Sequence, residues 1–414
     1  EYNGYKVYWE DGAQVGSEVS DAMTEKINAV DMFSGVKTMD FEEARTKGLI
    51  ELISEEMDRK YLELVKSLAV NDGEALDKTI CAVYTPLNGA GSIPVRTVLA
   101  ERGFTNVHIV KEQEDPDPDF TTVGYPNPED VKAFALSEKL GEAVGAQLLI
   151  ATDPDCDRLA IELAGKGGGY IPLNGNQVGV ILINYLLEGR KKAGTMPENG
   201  AMVKSIVTGD MGKAICERYG VRMFESLTGF KNICGRIPLL HELGYEYLFG
   251  YEESIGYAAS EQVRDKDGVS AAMLLIEAAA FYKKQGKTLM DVLEELFKEY
   301  GYYSEGHISL VLDGVEGAER IQRMMAAYRE EYPEIIGGES VAEVIDYKDG
   351  YGDIEPSNVV KFVLTDGSWY VLRPSGTEPK LKLYFYARAE SAKESRAKVD
   401  MMSKAAMDRL ESVG

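Results

Sequence analysis

Cysteine and histidine are scarce in this chain, and both are scattered. The four cysteines, Cys81, Cys156, Cys216 and Cys234, form no Cys-x-x-Cys pair. That argues against a disulfide framework and leaves buried free thiols in a reducing cytoplasm as the expectation. The three histidines, His108, His241 and His307, lie too far apart to suggest a zinc site. Basic residues are also in short supply, at 45 Lys and Arg against 69 Asp and Glu, for a net charge of −24. This deficit argues against nucleic acid or an anionic membrane as partner, since binding phosphate on that scale needs a basic face. A small anionic substrate stays possible where cations are concentrated locally. No apolar run reaches the roughly 18 residues that span a membrane, and no signal peptide is visible. An initiator methionine is missing too. The chain opens on a turn followed at once by the strand pattern "YKVYW" (Tyr5 to Trp9), so an N-terminal truncation is expected.

What is present is enough for several cores. A chain of 414 residues with 44% hydrophobic content calls for two to four domains. "DRKYLELVKSLAV" predicts a helix and "TICAVYTPL" a strand. "NGAGSIPVRTVLAERG" follows as a glycine-rich turn and a helix closed by Gly103, then "FTNVHIV" as a strand. The helix pattern "PEDVKAFALSEKLGEAVG" leads into "LLIATDPDCDRLAIEL", which completes a strand–helix–strand–helix–strand grammar typical of an α/β domain. The same grammar begins again at "NGNQVGVILINYLLEG" and runs through "AMVKSIVT", "GDMGKAICERYG" and "VRMFES". A shared helix–Glu-Arg–Gly–strand layout suggests tandem related α/β domains with mixed sheets. From about Gly301 the texture changes to hairpin-bounded strands with flanking helices, an α+β domain.

Three loops could carry chemistry. Asp153, Asp155 and Asp157 alternate after an apolar strand, and Pro154 would interrupt a ladder, so they belong to a loop at a strand end where three carboxylates converge. Hard oxygen donors in that number suit Mg²⁺ or Ca²⁺. An EF-hand is excluded because Arg158 stands where its glycine belongs and Ala164 where its last acid belongs. A solvated acidic turn is the plainer alternative. "LRPSGTEPK" supplies Arg373, Ser375, Gly376, Thr377 and Lys380: cations, hydroxyls and a glycine of the kind a phosphate needs, or simply a hairpin turn. "FGYEESIGY" sets Glu252, Glu253 and Ser254 among glycine and aromatic residues, to accept hydrogen bonds from sugar hydroxyls or to cap a helix. Lys231 and Lys266 lie in turns, where most lysines are merely solvated.

Together these loops resemble those of the α-D-phosphohexomutase superfamily, in its phosphoglucomutase and phosphopentomutase branch. "DPDCDR" is similar to the metal loop, "GYEESIGY" to the sugar-recognition loop and "RPSGTEPK" to the distal phosphate loop. "TPLNGAG", "PNPE", "LNGNQVG", "TGFKN" and "DKDG" agree as well, in the same order over essentially the whole chain. The resemblance implies four domains: the remainder of a truncated first α/β domain at 1–58, α/β domains at 59–170 and 171–300, and a C-terminal α+β domain at 301–414 resembling the TATA-binding-protein fold. It implies transfer of a phosphoryl group between the C1 and C6 (or C5) oxygens of a sugar through a phosphoserine and a bisphosphate such as glucose 1,6-bisphosphate. The family's serine lies in a Ser-His-Asn-Pro loop that would fall about five residues before Glu1, so the fragment is expected to be inert.

By the same resemblance Asp153, Asp155 and Asp157 would bind Mg²⁺, and Arg158 would lie beside the transferring group. Lys6 would act as general acid, general base or electrostatic partner, with Lys266 a second candidate for proton work and Lys231 a substrate contact. Work as a base would need a lowered lysine pKa. Glu252, Glu253 and Ser254 would hold sugar hydroxyls, while Arg373, Ser375, Gly376, Thr377 and Lys380 would grip the phosphate that is not reacting. The expected substrate is glucose phosphate, with pentose or mannose phosphate as alternatives and a monomer or dimer as the assembly. An aspartate-nucleophile phosphatase also places DxD after a strand, but it leaves "GYEESIGY" and "RPSGTEPK" without a role. A non-catalytic sugar-phosphate binding protein is the other rival.

Overall fold

The computed structural model describes residues 6–376 and 378–413. Thr377 therefore lies outside the described residues, as do positions 1–5. The chain divides into two compact units. One comprises Glu1–Asn174, Phe230–Gly250 and Ile255–Gln285; the other comprises Gly175–Gly229, Tyr251–Ser254 and Gly286–Gly414.

The first unit is organised by a five-stranded sheet in the order Val107–Ile109, Ala82–Thr85, Leu148–Thr152, Leu159–Ala164, Tyr170–Leu173. The first three strands run parallel and the last two antiparallel. Ala82–Thr85 and Leu148–Thr152 are buried along their whole length. Their unbroken apolar runs are what a strand covered on both faces requires. The helix Ala135–Val144 ends where Gly145 turns left-handed at φ 69° and its N–H closes on the Gly141 carbonyl. The helix Gly268–Lys284, capped by Asp267, is buried from Gly268 through Tyr282.

Residues 6–58 behave differently. The strand expected at Tyr5–Trp9 starts on Tyr5, outside the described residues, and over residues 6–9 it is not formed. Tyr8 makes only an isolated bridge with Gln14 across a turn, and a ladder that short lacks the neighbouring strands a stable pairing needs. The segment carries the helices Ser17–Asn28 and Phe41–Thr46, yet Ala44 is its only described buried residue. Phe33 is 93% exposed and Ile53 80%. What holds residues 6–14 is the loop before Gly268: Tyr8 hydrogen-bonds Asp265, Arg264 pairs with Asp11 at 2.9 Å, and Ala13 bridges Arg264.

The second unit pairs Gly200–Ser205 with Arg222–Ser226 in parallel, and its helices Gly175–Ala193 and Met211–Arg218 pack on each other. Its C-terminal part is a six-stranded antiparallel sheet in the order Tyr302–Val311, Lys380–Ala389, Trp369–Pro374, Val360–Leu364, Glu339–Asp346, Ile335–Ile336. Alternation along Lys380–Ala389 explains its two faces. Leu381, Leu383, Phe385 and Ala387 pack against the helices Gly314–Glu330 and Ala392–Glu411 through Tyr328, Met402 and Leu410. Tyr384 and Tyr386 point the other way, toward Ile206, Val207, Trp369 and Val371. The fold class is thus α/β with mixed sheets followed by an α+β C-terminal domain. No helix of the described residues is long and apolar enough to cross a membrane.

Candidate active site: an acidic loop and a sugar-loop hairpin

In the first unit, the loop between Leu148–Thr152 and Leu159–Ala164 is set by close backbone contact. A Cβ on Gly89 would stand 2.4 Å from the Pro154 Cα, and one on Gly91 would stand 2.7 Å from the Cys156 sulfur. Ala90 N–H donates to the Pro154 carbonyl at 2.8 Å, and Gly268 N–H to the Cys156 carbonyl at 2.9 Å. Cys156 itself is left-handed, at φ 57°. Only glycine lets these neighbours approach so closely, which accounts for both "NGAG" and "DKDG".

The loop brings the carboxylates of Asp153, Asp155 and Asp157 within 4.8 Å of one another. Three cations converge on them, Lys6 and Lys266 from distant stretches and Arg158 from the loop itself. Arg158 donates from its backbone N to Asp153 Oδ1 at 2.9 Å and from Nε to Oδ2 at 2.8 Å. Its Nη1 also reaches Asn127 of the "PNPE" loop at 3.3 Å. Lys6 Nζ lies 3.0 Å from Asp157 Oδ2 and 3.6 Å from Asp155, and Lys266 Nζ lies 2.9 Å from the same Asp157 oxygen. Burial pushes Asp153 up to about 6, helped by the charge of Asp157. Burial also works to raise Asp157, but Lys266 and Lys6 hold it below the usual carboxylate range. Lys6 is raised above its ordinary value, because Asp157, Asp265 and Asp155 outweigh its partial burial. That is opposite to the lowering a general base needs. As these residues stand, Lys6 keeps its proton.

The trio fits a divalent cation. Mg²⁺ holds its oxygens about 2.1 Å away, so its ligand atoms stand at most about 4.2 Å apart. The trio needs only a modest closure to meet that, and each carboxylate oxygen has lone pairs enough to keep its lysine or arginine partner.

Glu252 ends the strand Glu246–Glu252, and the helix-cap alternative is not found; the segment is a strand–turn–strand leading to Gly256–Ala258, of which Tyr251–Ser254 belong to the second unit. Glu252 Oε1 accepts from Gly229 N–H at 2.6 Å, with Gly229 left-handed at φ 101°. Glu253 Oε2 accepts from the Thr208 hydroxyl at 2.9 Å and the Ser205 hydroxyl at 3.3 Å. "RPSGTEPK" is a hairpin: Ser375 N–H bonds the Lys380 carbonyl at 2.7 Å, and a Cβ on Gly376 would meet only open space. Lys380 pairs with Glu378 at 2.8 Å. Tyr384 joins the two loops. Burial raises its hydroxyl to about 12, Glu253 and Glu252 add to that, and a hydrogen bond from Arg373 opposes it.

Asp153, Asp155, Asp157, Arg158, Lys6 and Lys266 therefore form one cluster, and Tyr384 lies in the field of Glu253, Arg373 and Glu252. Lys231 is exposed at the start of the short helix Phe230–Ile233. Two residues escaped the sequence reading. Lys382 stands directly across the ladder from Arg373, adding a cation that the alternation of "KLKLY" could have revealed. Tyr384 left no comparable signal.

Family models for phosphoglucomutase/phosphomannomutase match residues 59–165 (alpha/beta/alpha domain II), 174–300 (alpha/beta/alpha domain III) and 316–404 (C-terminal domain). The phosphoglucomutase of Staphylococcus epidermidis is 35% identical over 397 residues, covering 93% of this chain and 70% of that protein. A Haemophilus influenzae protein named "Probable phosphomannomutase" is 36% identical over 396 residues, covering 95% and 76%. Among solved structures, Paramecium pp63/parafusin, a phosphoglucomutase in its open form, aligns with a TM-score of 0.63 at 18% identity, covering 85% of this chain and 62% of that one. The chain thus spans somewhat under two thirds of that structure. It belongs to the phosphoglucomutase/phosphomannomutase family, within the α-D-phosphohexomutase superfamily.

Proposed function

We propose that this chain is the substrate-handling part of a phosphoglucomutase, an intramolecular phosphotransferase that interconverts glucose 1-phosphate and glucose 6-phosphate in the cytoplasm, with glucose 1,6-bisphosphate as intermediate and activator. The observation that carries this reading is the convergence of Lys6, Lys266 and Arg158 on Asp153, Asp155 and Asp157. Phosphoryl transfer asks little covalent chemistry of a protein and much charge neutralisation and positioning. Asp153, Asp155 and Asp157 would hold Mg²⁺, which supplies neutralisation of phosphoryl oxygens when bound. Arg158, anchored by Asp153, presents its guanidinium beside that position. Lys6, kept protonated by Asp157, and Lys266, paired with the same carboxylate, are suited to stabilise a departing oxygen or donate a proton to it.

Glu252 and Glu253 accept from sugar hydroxyls. Arg373, Ser375, Gly376, Thr377, Lys380 and Lys382 hold the phosphate that is not reacting, with Ser254 and Lys231 as further contacts. This division lets a chain of net charge −24 bind an anion, by gathering cations at loops.

The 414 residues contain no Ser-His-Asn-Pro loop, so in our reading the chain binds sugar phosphate without turning it over. We read residues 1–58 as part of a further α/β domain, a reading supported by their exposed apolar side chains. A coupled assay with glucose 1-phosphate, Mg²⁺ and traces of glucose 1,6-bisphosphate tests this. The chain alone is expected to be silent, and a longer form carrying the serine loop is expected to be active. Turnover by the 414-residue chain would refute the inert reading. Interconversion of mannose phosphates is the second reading, favoured by the Haemophilus relative's name; comparing rates on the two sugars decides between them.

A further inference from the structure

Beneath Glu253 in the second unit lies a charge network that no step above uses. Lys204, fully buried on Gly200–Ser205, reaches Asp210 at 3.0 Å, Glu225 at 2.8 Å and the Thr208 carbonyl at 2.9 Å. Trp369 Nε1 donates to Asp210 at 2.7 Å. Lys361, also buried, donates to the Ile206 carbonyl at 3.1 Å and lies over the Trp369 ring at 4.5 Å. An ammonium group taken out of water is costly unless fully partnered. Here both lysines spend bonds on backbone carbonyls of one turn, residues 205–210. The turn has little freedom left: Ile206 N–H bonds Ser226, Gly209 N–H bonds Asn176 Oδ1, and a Cβ on Gly209 would strike the Tyr386 ring at 2.4 Å.

That fixed turn presents two hydroxyls to one carboxylate. Ser205 and Thr208 hydroxyls are 2.8 Å apart, and both bond Glu253 Oε2. Thr208 Oγ1 also accepts from the Glu253 backbone N–H at 3.3 Å. Main chain and side chain of Glu253 are thus held by the same residue. A free glutamate side chain has rotamer entropy to lose on binding. A carboxylate whose freedom has already been removed discriminates better among hydroxyl positions.

We propose that Thr208, on a turn locked by the buried Lys204, is a positioning residue that aims the Glu253 carboxylate and so sets which epimer of a hexose phosphate this chain prefers. The inference rests on the sugar-phosphate reading above. The test is calorimetric titration of the 414-residue chain with glucose 1-phosphate, mannose 1-phosphate and inorganic phosphate. Thr208→Val is expected to weaken glucose 1-phosphate about tenfold and narrow the glucose-to-mannose ratio. Inorganic phosphate, held by the Arg373 hairpin, is expected to bind as before, and Thr208→Ser is expected to restore the ratio. A folded Thr208→Val with the parent's ratio overturns the positioning role alone. A parent chain that binds neither sugar phosphate overturns it together with the sugar-phosphate reading. Should Thr208→Val fail to fold, Ser205→Ala removes the 3.3 Å bond to Glu253 together with the 2.8 Å contact to Thr208 and carries the same comparison: a narrowed ratio supports the role, an unchanged one overturns it.

Discussion

Lys6 and Lys266 share a single oxygen: their ammonium groups lie 3.0 and 2.9 Å from Oδ2 of Asp157. Three carboxylates in this loop are therefore already met by three cations, counting Arg158. A divalent ion entering such a cluster is attracted by the acids and repelled by the lysines. Its affinity is set by that balance.

Removing one lysine should shift the balance toward the metal. Lys266→Ala is expected to tighten Mg²⁺ binding by about tenfold, or ~1.4 kcal/mol, with Lys6→Ala acting in the same direction. Asp157→Asn should weaken it by at least as much. Titration of the chain with MgCl₂ reads this directly, and a Lys266→Ala variant with the parent's affinity would show that the ion binds elsewhere.

Glu162 provides a pH signature away from this loop. It is buried on Leu159–Ala164, its Oε2 has no partner among the described residues, and burial and the neighbouring Glu138 push it up to about 7 from an ordinary 4.5. Below about pH 4.5 the folded and unfolded chains both hold this proton. Between there and pH 7 only the unfolded chain releases it, so stability falls as pH rises, by about 3 kcal/mol in total. Glu162→Gln should flatten this part of the stability profile and stabilise the chain at pH 8. Urea denaturation at pH 5 and pH 8 measures it; an equal pH slope in parent and variant would contradict the assignment.

The acidic loop and the "RPSGTEPK" hairpin were legible because their signals are local. Acids at alternate positions around a proline announce a convergent loop, and Ser, Gly and Pro between two alternating runs announce a hairpin. The partners that complete each site were less visible, being set by register and by distant segments. Lys204 in "AMVKSIVT" and Lys361 in "VVKFVL" interrupt apolar strands, but nothing local says that Asp210, Glu225 and backbone carbonyls will receive them. Lys382 faces Arg373 only because the ladder pairs those two positions. The strand missing over residues 6–9 has the opposite cause. Its pattern was sound, but a strand needs neighbours, and the described residues there offer only Gln14.

Glu277 and Arg102 form a pair that should dominate the stability of the first unit. Glu277 is fully buried, accepts from Val70 and Asn71 N–H at 2.8 and 2.9 Å, and pairs with Arg102 at 2.8 Å. Glu277→Gln turns an amide NH₂ toward the guanidinium or sacrifices the backbone bonds, and leaves a buried cation unpaired. The expected cost is about 3–5 kcal/mol. Replacing the cation as well, with Arg102→Met added, should recover part of this loss, because the unpaired charge is then gone. Denaturant unfolding of the parent and the two variants tests it: a double variant no more stable than Glu277→Gln would locate the cost in the backbone bonds.

Arg373 should prove sensitive to shape rather than charge. Its guanidinium charge acts on Tyr384, whose hydroxyl lies in the field of Glu253 and Glu252, and it stands across the ladder from Lys382. A lysine at 373 would preserve the charge but offer no planar fork with which to hold Tyr384 and two phosphate oxygens at once. Arg373→Lys is therefore expected to weaken inorganic phosphate and glucose 1-phosphate alike by about tenfold. The salt dependence of binding should stay as it is, because the number of cations at the hairpin is unchanged. Arg373→Ala should weaken binding further and lower the salt dependence. Titrations at low and moderate ionic strength separate the cases. An Arg373→Lys variant with the parent's affinity would mean that the hairpin contributes charge alone, and that Tyr384 plays no part in holding the anion.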